Sequence, residues 1–368
     1  SSDLEAALDL IKTPHGPERL RVAVRAVGDA GAKKIANMLQ RHRHLPIEGD
    51  DADDTTIARP VLRVLELWAT SIEAAGAEDL VAALTSDTCT LDKLDLNWNP
   101  GIGDPGCAHF ATGLRSGTMR LRSLSLAGCD IGDAGCEAIF TALGSASANQ
   151  LSELVLSGNR ITGDGAVAIG AALSSPANCL AKLDLKVNPI GDAGARGIFI
   201  ACRDSEHCKL VWLDLEQTGL GPEAATSLGA ALRSGNCRLT YVSLNHNDPG
   251  VGDAGCKKIG AALKTDRHPS TLVELNLCRN GIGPRGAVAI SEAVGLETSR
   301  LQRIWLLGNP FADTPQSAQM VASGFYGEIK LRKKHSPLRE IAGVELWLGM
   351  IGGESLSNRD VLLVLCGK

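Results

Sequence analysis

The sequence is poor in aromatic residues, which make up only 3% of its 368 positions, with 5 Trp, 2 Tyr and 5 Phe. A core with so few rings has to be built from Leu, Ile, Val, Ala and Cys. Long apolar runs are also missing, because Val361–Cys366 falls far short of the ~20 residues that cross a bilayer. We therefore expect no membrane insertion.

A basic excess is the next absence, since 37 Lys and Arg stand against 42 Asp and Glu and leave a net charge of -5. Nucleic-acid surfaces usually carry a clear positive excess, so we expect no nucleic-acid partner. No P-loop, HExxH or G-x-S-x-G segment is present, and these are common signatures of nucleotide, metal and serine hydrolase chemistry. The sequence therefore predicts a protein that is not an enzyme and uses no cofactor or metal.

Cysteine is plentiful, at 11 residues, yet no CxxC pair occurs. Cysteines instead recur at fixed places in a repeat, as Cys107, Cys136 and Cys256 do one residue after a glycine. Such cysteines are most simply small buried side chains, with disulfides and a metal site as less favoured alternatives. Reduced thiols and the absence of a visible secretory leader predict an intracellular, cytoplasmic protein; an organelle reached through a removed targeting segment stays open.

One pattern, L-x-x-L-x-L-x-x-N-x-I, recurs every 29 to 33 residues. Its alternating leucines predict a short strand with one buried face, and a Gly-Asp-x-Gly segment followed by apolar residues three or four apart predicts a helix. Nine such units cover residues 62–330. Their first leucines are Leu62, Leu91, Leu121, Leu151, Leu180, Leu210, Leu239, Leu272 and Leu301.

Two polar positions of the repeat have predicted structural roles. An asparagine follows most strands, where its amide can bond the backbone of the neighbouring coil; these are Asn99, Asn159, Asn188, Asn247, Asn280 and Asn309. An aspartate stands at most helix starts, where we expect it to cap the free N–H groups of its own helix; these are Asp29, Asp104, Asp133, Asp164, Asp192 and Asp253. Three segments also match G-x-G-x-x-G, but turn geometry and helix packing explain their glycines better than a dinucleotide does.

The repeat strongly resembles the leucine-rich repeats of the ribonuclease-inhibitor type. The resemblance implies an α/β right-handed solenoid of about 11 repeats, bent into a horseshoe with a parallel sheet on the concave side and helices on the convex side. We expect an N-terminal cap over residues 1–61, with one degenerate repeat and an acidic insertion at about 41–60. Nine regular repeats over 62–330 would follow, then a C-terminal cap with a degenerate repeat over 331–368.

The third, fifth and seventh positions of each strand pattern point away from the leucine core, into the concavity. Three of the five tryptophans fall at these positions, together with seven acids and four bases. Aromatic anchors flanked by acids suit a partner segment that carries Arg or Lys. The predicted partner-binding residues are Trp68, Trp212, Asp214, Glu216, Tyr241, Asn245 and Trp305.

These features favour a non-enzymatic scaffold that binds a protein partner through its concave face. The resemblance also implies two alternatives, a regulator of a small GTPase similar to the activators of Ran, and a structural subunit of a large assembly that uses its convex or cap surfaces. Ribonuclease inhibition would call for more cysteine and a more acidic face. The sequence identifies neither the partner nor the oligomeric state.

Overall fold

A computed structural model describes residues 8, 17–22, 27–41, 62–145, 149–264, 270–294 and 300–312. Strands and helices alternate along this part of the chain. The strands are β1 (Arg19–Arg21), β2 (Val64–Glu66), β3 (Lys93–Asp95), β4 (Ser123–Ser125), β5 (Glu153–Val155), β6 (Lys182–Asp184), β7 (Trp212–Asp214), β8 (Tyr241–Ser243), β9 (Glu274–Asn276) and β10 (Arg303–Trp305). The helices are α1 (Gly28–Arg41), α2 (Ala74–Leu84), α3 (Gly103–Arg115), α4 (Asp133–Ser145), α5 (Gly163–Leu173), α6 (Gly191–Asp204), α7 (Pro222–Leu232), α8 (Gly252–Leu263) and α9 (Pro284–Val294).

The chain forms two compact units, and the first comprises residues 1–161 and 175–180. Strands β1 to β5 pair in parallel and in sequence order, with the central leucine of one strand opposite that of the next, as Leu65 is opposite Leu94. These leucines are fully buried. Helices α1 to α4 pack against one another in the same order. The degenerate repeat predicted near the start of the chain contributes β1 and α1 to this unit.

The second unit comprises residues 162–174 and 181–368. Strands β6 and β7, β7 and β8, β8 and β9, and β9 and β10 pair in parallel, and helices α5 to α9 pack in sequence order. The predicted α/β architecture of parallel strands alternating with helices is therefore confirmed. No helix in the described ranges is long and apolar enough to cross a membrane. Most of the predicted acidic insertion and the whole predicted C-terminal cap, residues 331–368, lie outside the described residues.

The asparagine that follows most strands bonds the backbone of the neighbouring repeat, as predicted. In the first unit, Asn99 Oδ1 accepts hydrogen bonds from the backbone N–H groups of Thr70 and Ile72, at 3.0 and 3.1 Å, in the preceding repeat. Its Nδ2 donates to the carbonyls of Leu67 and Leu96, both at 2.8 Å. Because Asn99 is fully buried, this one amide satisfies four backbone groups that water does not reach.

The aspartate at the helix start behaves differently from the prediction. Asp253 lies in the first turn of α8, yet its Oδ1 accepts hydrogen bonds from Gly283 and Gly286, both at 2.8 Å, at the start of α9. Asp104 caps the start of α4 in the same way. The expectation that each carboxylate caps its own helix is wrong at these sites, because the neighbouring helix presents its free N–H groups to the carboxylate.

This cross-repeat cap also favours the glycine at the fourth position of the Gly-Asp-x-Gly segment and of its Gly-Pro-x-Gly counterpart. A Cβ at Gly286 would lie 2.6 Å from Asp253 Oδ1, and one at Gly135 would lie 2.5 Å from Asp104 Oδ1. A side chain there requires the carboxylate to shift, but the cap can survive, because Ala224 at the equivalent position of α7 still donates to Asp192 Oδ1 at 3.1 Å. The glycine that opens the segment has a second role, since Gly252 adopts a φ of 58° in the left-handed region.

The core contains more aromatic side chains than its composition suggested. Phe110, Phe140, Phe199 and Phe311 are among the largest fully buried side chains. The expectation of a core built from aliphatic residues and cysteine alone is therefore wrong, although leucine forms the strand row as predicted. Cys107, Cys136 and Cys256 are buried as expected, and Cys107 and Cys256 are free thiols.

Candidate functional site

The outward positions of β6 to β10 and of the turns after them form one surface of the second unit, which we call the open face. The parallel register sets its order: Lys182 is opposite Trp212, and Trp212 is opposite Tyr241. Asp184 and Asp214 are opposite each other in the same way, two residues further along β6 and β7. Five of the seven predicted binding residues lie together on β7 and β8 or in the turns after them: Trp212, Asp214, Glu216, Tyr241 and Asn245. We call these five residues the aromatic–acidic patch.

The two aromatic rings of the patch form a parallel stack. The centroids of Trp212 and Tyr241 are 4.9 Å apart, and the ring planes differ by 5°. Both side chains are partly exposed, so the stack presents ring surface to solvent on a rigid sheet. The sequence predicted this pairing from the strand spacing of roughly 4.8 Å.

The carboxylate beside this stack is buried more deeply than the sequence indicated. Asp214 is only 6% exposed, and Asp184 on the next strand is 8% exposed. Burial is the main cause that raises the pKa of Asp214 to about 6, and the nearby Asp184 and Glu216 charges add to it. Burial likewise raises the pKa of Asp184 above its usual value. Ionisation of Asp214 therefore costs free energy, and its charge changes with pH close to the neutral range.

A turn that recurs in the repeats fixes the orientation of the Asp214 carboxylate. Its Oδ1 accepts a hydrogen bond from the backbone N–H of Glu216 at 2.9 Å. Asn276 makes the same bond to the N–H of Cys278 at 3.1 Å, and Asp184 bonds the N–H of Lys186 at 3.0 Å. The sequence analysis missed this role, although a short polar residue recurs at the fifth position: Asp95, Asp184, Asp214, Ser243 and Asn276.

Charge balance on the open face leaves the patch acidic. Lys186 Nζ lies 3.6 Å from Asp184 Oδ2, and Arg303 forms a salt bridge with Glu274. Neither Asp214 nor Glu216 has a salt-bridge partner among the residues that the structure describes. Burial and these acids raise the pKa of Tyr241 to about 12, so its phenol stays neutral.

The remaining predicted residues do not all belong to the patch. Trp305 lies at the end of β10 in the same unit, and its side chain is partly exposed. Trp68 belongs to the first unit, where the guanidinium carbon of Arg21 lies 5.0 Å from its ring centroid. Arg21 also lies 3.9 Å from a carboxylate oxygen of Glu66. Trp68 is therefore already engaged by a cation of its own chain.

An exposed tryptophan outside the predicted set is the largest surface aromatic of the described residues. Trp98 is 62% exposed and holds a φ of 61°, in the left-handed region that is unfavourable for a bulky residue. Its ring lies against Gly128, where a Cβ would come within 2.7 Å of the indole. The strand pattern missed it because Trp98 follows the seventh position, one residue beyond the columns that point outward.

Comparison with known proteins identifies the repeat. The family model described as "Leucine Rich repeat" matches residues 89–111, 120–140, 149–170, 177–199, 235–260 and 268–291. These segments include strands and helices of both units.

Two curated proteins illustrate the similarity. A mouse (Mus musculus) protein named "NACHT, LRR and PYD domains-containing protein 12" is 33% identical over 186 residues, which cover 50% of this chain and 17% of that protein. The pig (Sus scrofa) "Ribonuclease inhibitor" is 27% identical over 244 residues, which cover 66% of this chain and 49% of that protein. The chain thus spans less than half of the length of either relative.

Among solved structures, the "Plant peptide hormone receptor RGFR1 in complex with RGF2" aligns with a TM-score of 0.34 at 20% identity, over 67% of this chain and 32% of that chain. That similarity is too low to bear on function.

Proposed function

The chain carries leucine-rich repeats of the ribonuclease-inhibitor-like type, and from that premise we propose that it is a non-enzymatic scaffold that binds a protein partner through the aromatic–acidic patch. Repeats of this family commonly serve protein–protein interaction. The partner contributes a segment with an exposed Arg or Lys side chain. An intracellular location is part of the proposal and is supported by buried free thiols such as Cys107 and Cys256.

The observation that carries this proposal is a partly exposed aromatic stack beside two acids, Asp214 and Glu216, that form no salt bridge with the described residues. The Trp212–Tyr241 stack offers a flat π surface to a cation. Asp214 lies on the same strand as Trp212, two residues further along the chain, and Glu216 follows in the turn after that strand. A guanidinium or ammonium group that packs on the rings can thus pair with a carboxylate. That pairing stabilises ionised Asp214 the most, because its carboxylate is the more buried of the two.

The first unit supports this choice of partner chemistry with an internal example. There, the guanidinium of Arg21 lies over the Trp68 ring and also approaches Glu66. An indole, a carboxylate and an arginine from two neighbouring repeats of this chain therefore meet on one surface of the first unit. The patch of the second unit has the indole and the carboxylates, and we propose that the partner supplies the cation.

Replacing Trp212 by Ala should weaken binding by about 2 kcal/mol, which is roughly thirtyfold in Kd, because a central aromatic anchor of an interface is lost. An array of peptides that vary only in their Arg and Lys content selects a ligand, and isothermal titration calorimetry then measures its affinity for both proteins. Trp98→Ala is the matched control, because it removes an equally rare exposed indole outside the patch. Loss of binding in the Trp98 variant with retention in the Trp212 variant would contradict the proposal.

The same binding should depend on pH through Asp214. With a pKa of about 6, Asp214 is mostly ionised at pH 7 and mostly protonated at pH 5, so affinity for a cationic ligand should fall by up to about tenfold over that range. Asp214→Asn should bind more weakly at pH 7 and lose most of this pH dependence. Asparagine is a conservative replacement, because Asn276 makes the same backbone bond at the equivalent position of β9. An unchanged pH profile in Asp214→Asn would assign the effect to another group.

Stability should respond to pH in the opposite direction. Because folding raises the pKa of Asp214, the native state binds more protons than the unfolded state between about pH 4 and 6. The contribution of Asp214 to the free energy of unfolding therefore decreases as the pH rises through this window. Binding of a cation to ionised Asp214 offsets that cost, which links ligand binding to proton release.

A further inference from the structure

Two cysteine side chains of the second unit lie against each other. Cys202 is in the last turn of α6, and Cys208 is in the loop between α6 and β7. Their sulfur atoms are 3.6 Å apart and share a hydrogen bond. Cys202 is 1% exposed and Cys208 is 2% exposed. The binding face described above uses neither residue.

Comparison of the repeats shows that this cysteine pair distinguishes one repeat from two others that have a cysteine at the same loop position. Three repeats place a cysteine two residues before the first leucine, at Cys89, Cys208 and Cys237. Six residues before that cysteine, the other two repeats have alanine, Ala83 and Ala231, where this repeat has Cys202. The helix position is therefore one that accepts a small apolar side chain. A thiol there adds a reactive neighbour without adding a requirement of the fold.

The two thiols differ in acidity. The hydrogen bond with Cys202 lowers the pKa of Cys208 to about 7, with help from the N–H of Leu210 and the charge of Arg238. The equivalent Cys237 has no thiol at the helix position of its repeat, and burial raises its pKa to about 11. The same hydrogen bond, and then burial, raise the pKa of the Cys202 thiol. Cys208 is thus the sulfur that reaches the thiolate form first, and the thiolate is the nucleophile in thiol oxidation.

The surroundings decide which oxidant can react. Residues 206, 207 and 209, which flank Cys208, are all exposed, so the sulfur lies just beneath the surface. Because Cys202 and Cys208 are only 1% and 2% exposed, a small oxidant is favoured over a protein disulfide. In the described part of the chain, no group of three or more His, Cys, Asp and Glu side chains could hold a metal ion. The pair therefore fits redox chemistry better than metal binding.

We propose that Cys202 and Cys208 form an oxidisable dithiol, which a small hydroperoxide converts into an intramolecular disulfide. The Cys208 thiolate attacks one peroxide oxygen and the O–O bond breaks, which leaves a sulfenic acid on Cys208 and releases hydroxide, or water once protonated. The Cys202 sulfur, with loss of its proton, then attacks the Cys208 sulfur and displaces the hydroxyl as water. Two thiols lose two electrons in total, and hydrogen peroxide is reduced to two molecules of water. The sulfur atoms have to move from 3.6 Å to the ~2.0 Å of a disulfide, a shift of about 1.6 Å.

The test treats the reduced full chain with stoichiometric hydrogen peroxide near pH 7.5. Remaining thiols are blocked with an alkylating reagent, and the peptides are mapped by mass spectrometry with and without dithiothreitol. We expect one dominant crosslink, between Cys202 and Cys208, which dithiothreitol reverses. Cys208 should also be consumed about tenfold faster than Cys237.

Two variants separate this reaction from general thiol oxidation. Cys202→Ala introduces the residue that Ala83 and Ala231 already provide in other repeats, so the fold should be kept while the crosslink is lost. Cys237→Ala should leave the crosslink unchanged. The proposal is overturned if peroxide oxidises Cys208 and Cys237 at similar rates, if the main crosslink joins other cysteines, or if Cys202 and Cys208 stay reduced while exposed test thiols react. Circular dichroism of each variant verifies that the comparison is made on folded protein.

Discussion

Asn247→Ala should lower the free energy of unfolding by about 4 kcal/mol or more. Asn247 is buried, and its Oδ1 accepts hydrogen bonds from the N–H groups of Thr218 and Leu220 at 2.8 and 3.0 Å. Its Nδ2 donates to the carbonyls of Leu215 and Leu244 at 3.0 and 2.8 Å. Alanine removes all four bonds, and each buried backbone group left without a partner costs about 1–3 kcal/mol. A domain of ordinary stability would retain little margin after that loss.

Urea denaturation followed by circular dichroism measures this effect, and Asn247→Thr is the matched control. Threonine already occupies the same repeat position at Thr218, where its hydroxyl donates to the Leu215 carbonyl at 2.7 Å. The control should therefore keep one of the four bonds and lose less stability than the alanine variant. Equal losses in the two variants would show that the hydrogen bonds are not what the position provides. A loss below about 1 kcal/mol for alanine would show that solvent replaces them.

The asparagine positions were predictable because each one bonds backbone groups at fixed places in its own repeat and in the preceding repeat. A polar residue at a fixed place after a buried strand can only bond the backbone around it, whichever neighbour supplies the groups. The aspartates were not predictable to the same degree. Periodicity places Asp253 at a helix start, but the distance between neighbouring helix ends decides that it caps α9 and not α8. The sequence did contain one sign of this cap. A glycine, Gly286, occupies the position where a Cβ would lie 2.6 Å from the Asp253 carboxylate.

The candidate site likewise has one feature that the repeat pattern predicted and another that it did not. The pairing of Trp212 with Tyr241 followed from the repeat length, because equal spacing places equivalent residues opposite each other in a parallel sheet. The burial of Asp214 did not follow, because the same turn bond leaves Asn276, at the equivalent position of β9, only partly buried. Trp68 was assigned to the binding face only because it occupies the outward seventh position of its strand pattern. The structure shows that Arg21 of the same chain already covers its ring.

Side chains between the helices were the part of the core that the leucine pattern could not reveal. Phe199 lies in α6 and is 1% exposed, while helices α5 and α7 pack on either side of α6. At the aligned position of those two neighbouring helices the sequence has Gly170 and Gly229. Helix periodicity marks all three positions as inward, but it does not reveal that a Cβ at Gly170 would lie 2.7 Å from the Gly197 carbonyl oxygen, or that one at Gly229 would lie 2.9 Å from the Lys258 carbonyl oxygen.

Phe199→Ala should therefore lower the free energy of unfolding by about 3–5 kcal/mol. The cost arises because Phe199 is only 1% exposed, so that its loss leaves a cavity inside a closed core. Phe199→Leu keeps most of the buried volume and should cost less than about 1.5 kcal/mol. Urea denaturation with fluorescence detection measures both variants. If the alanine variant lost no more stability than the leucine variant, the helices would have closed over the cavity, and the space between them would not depend on the ring.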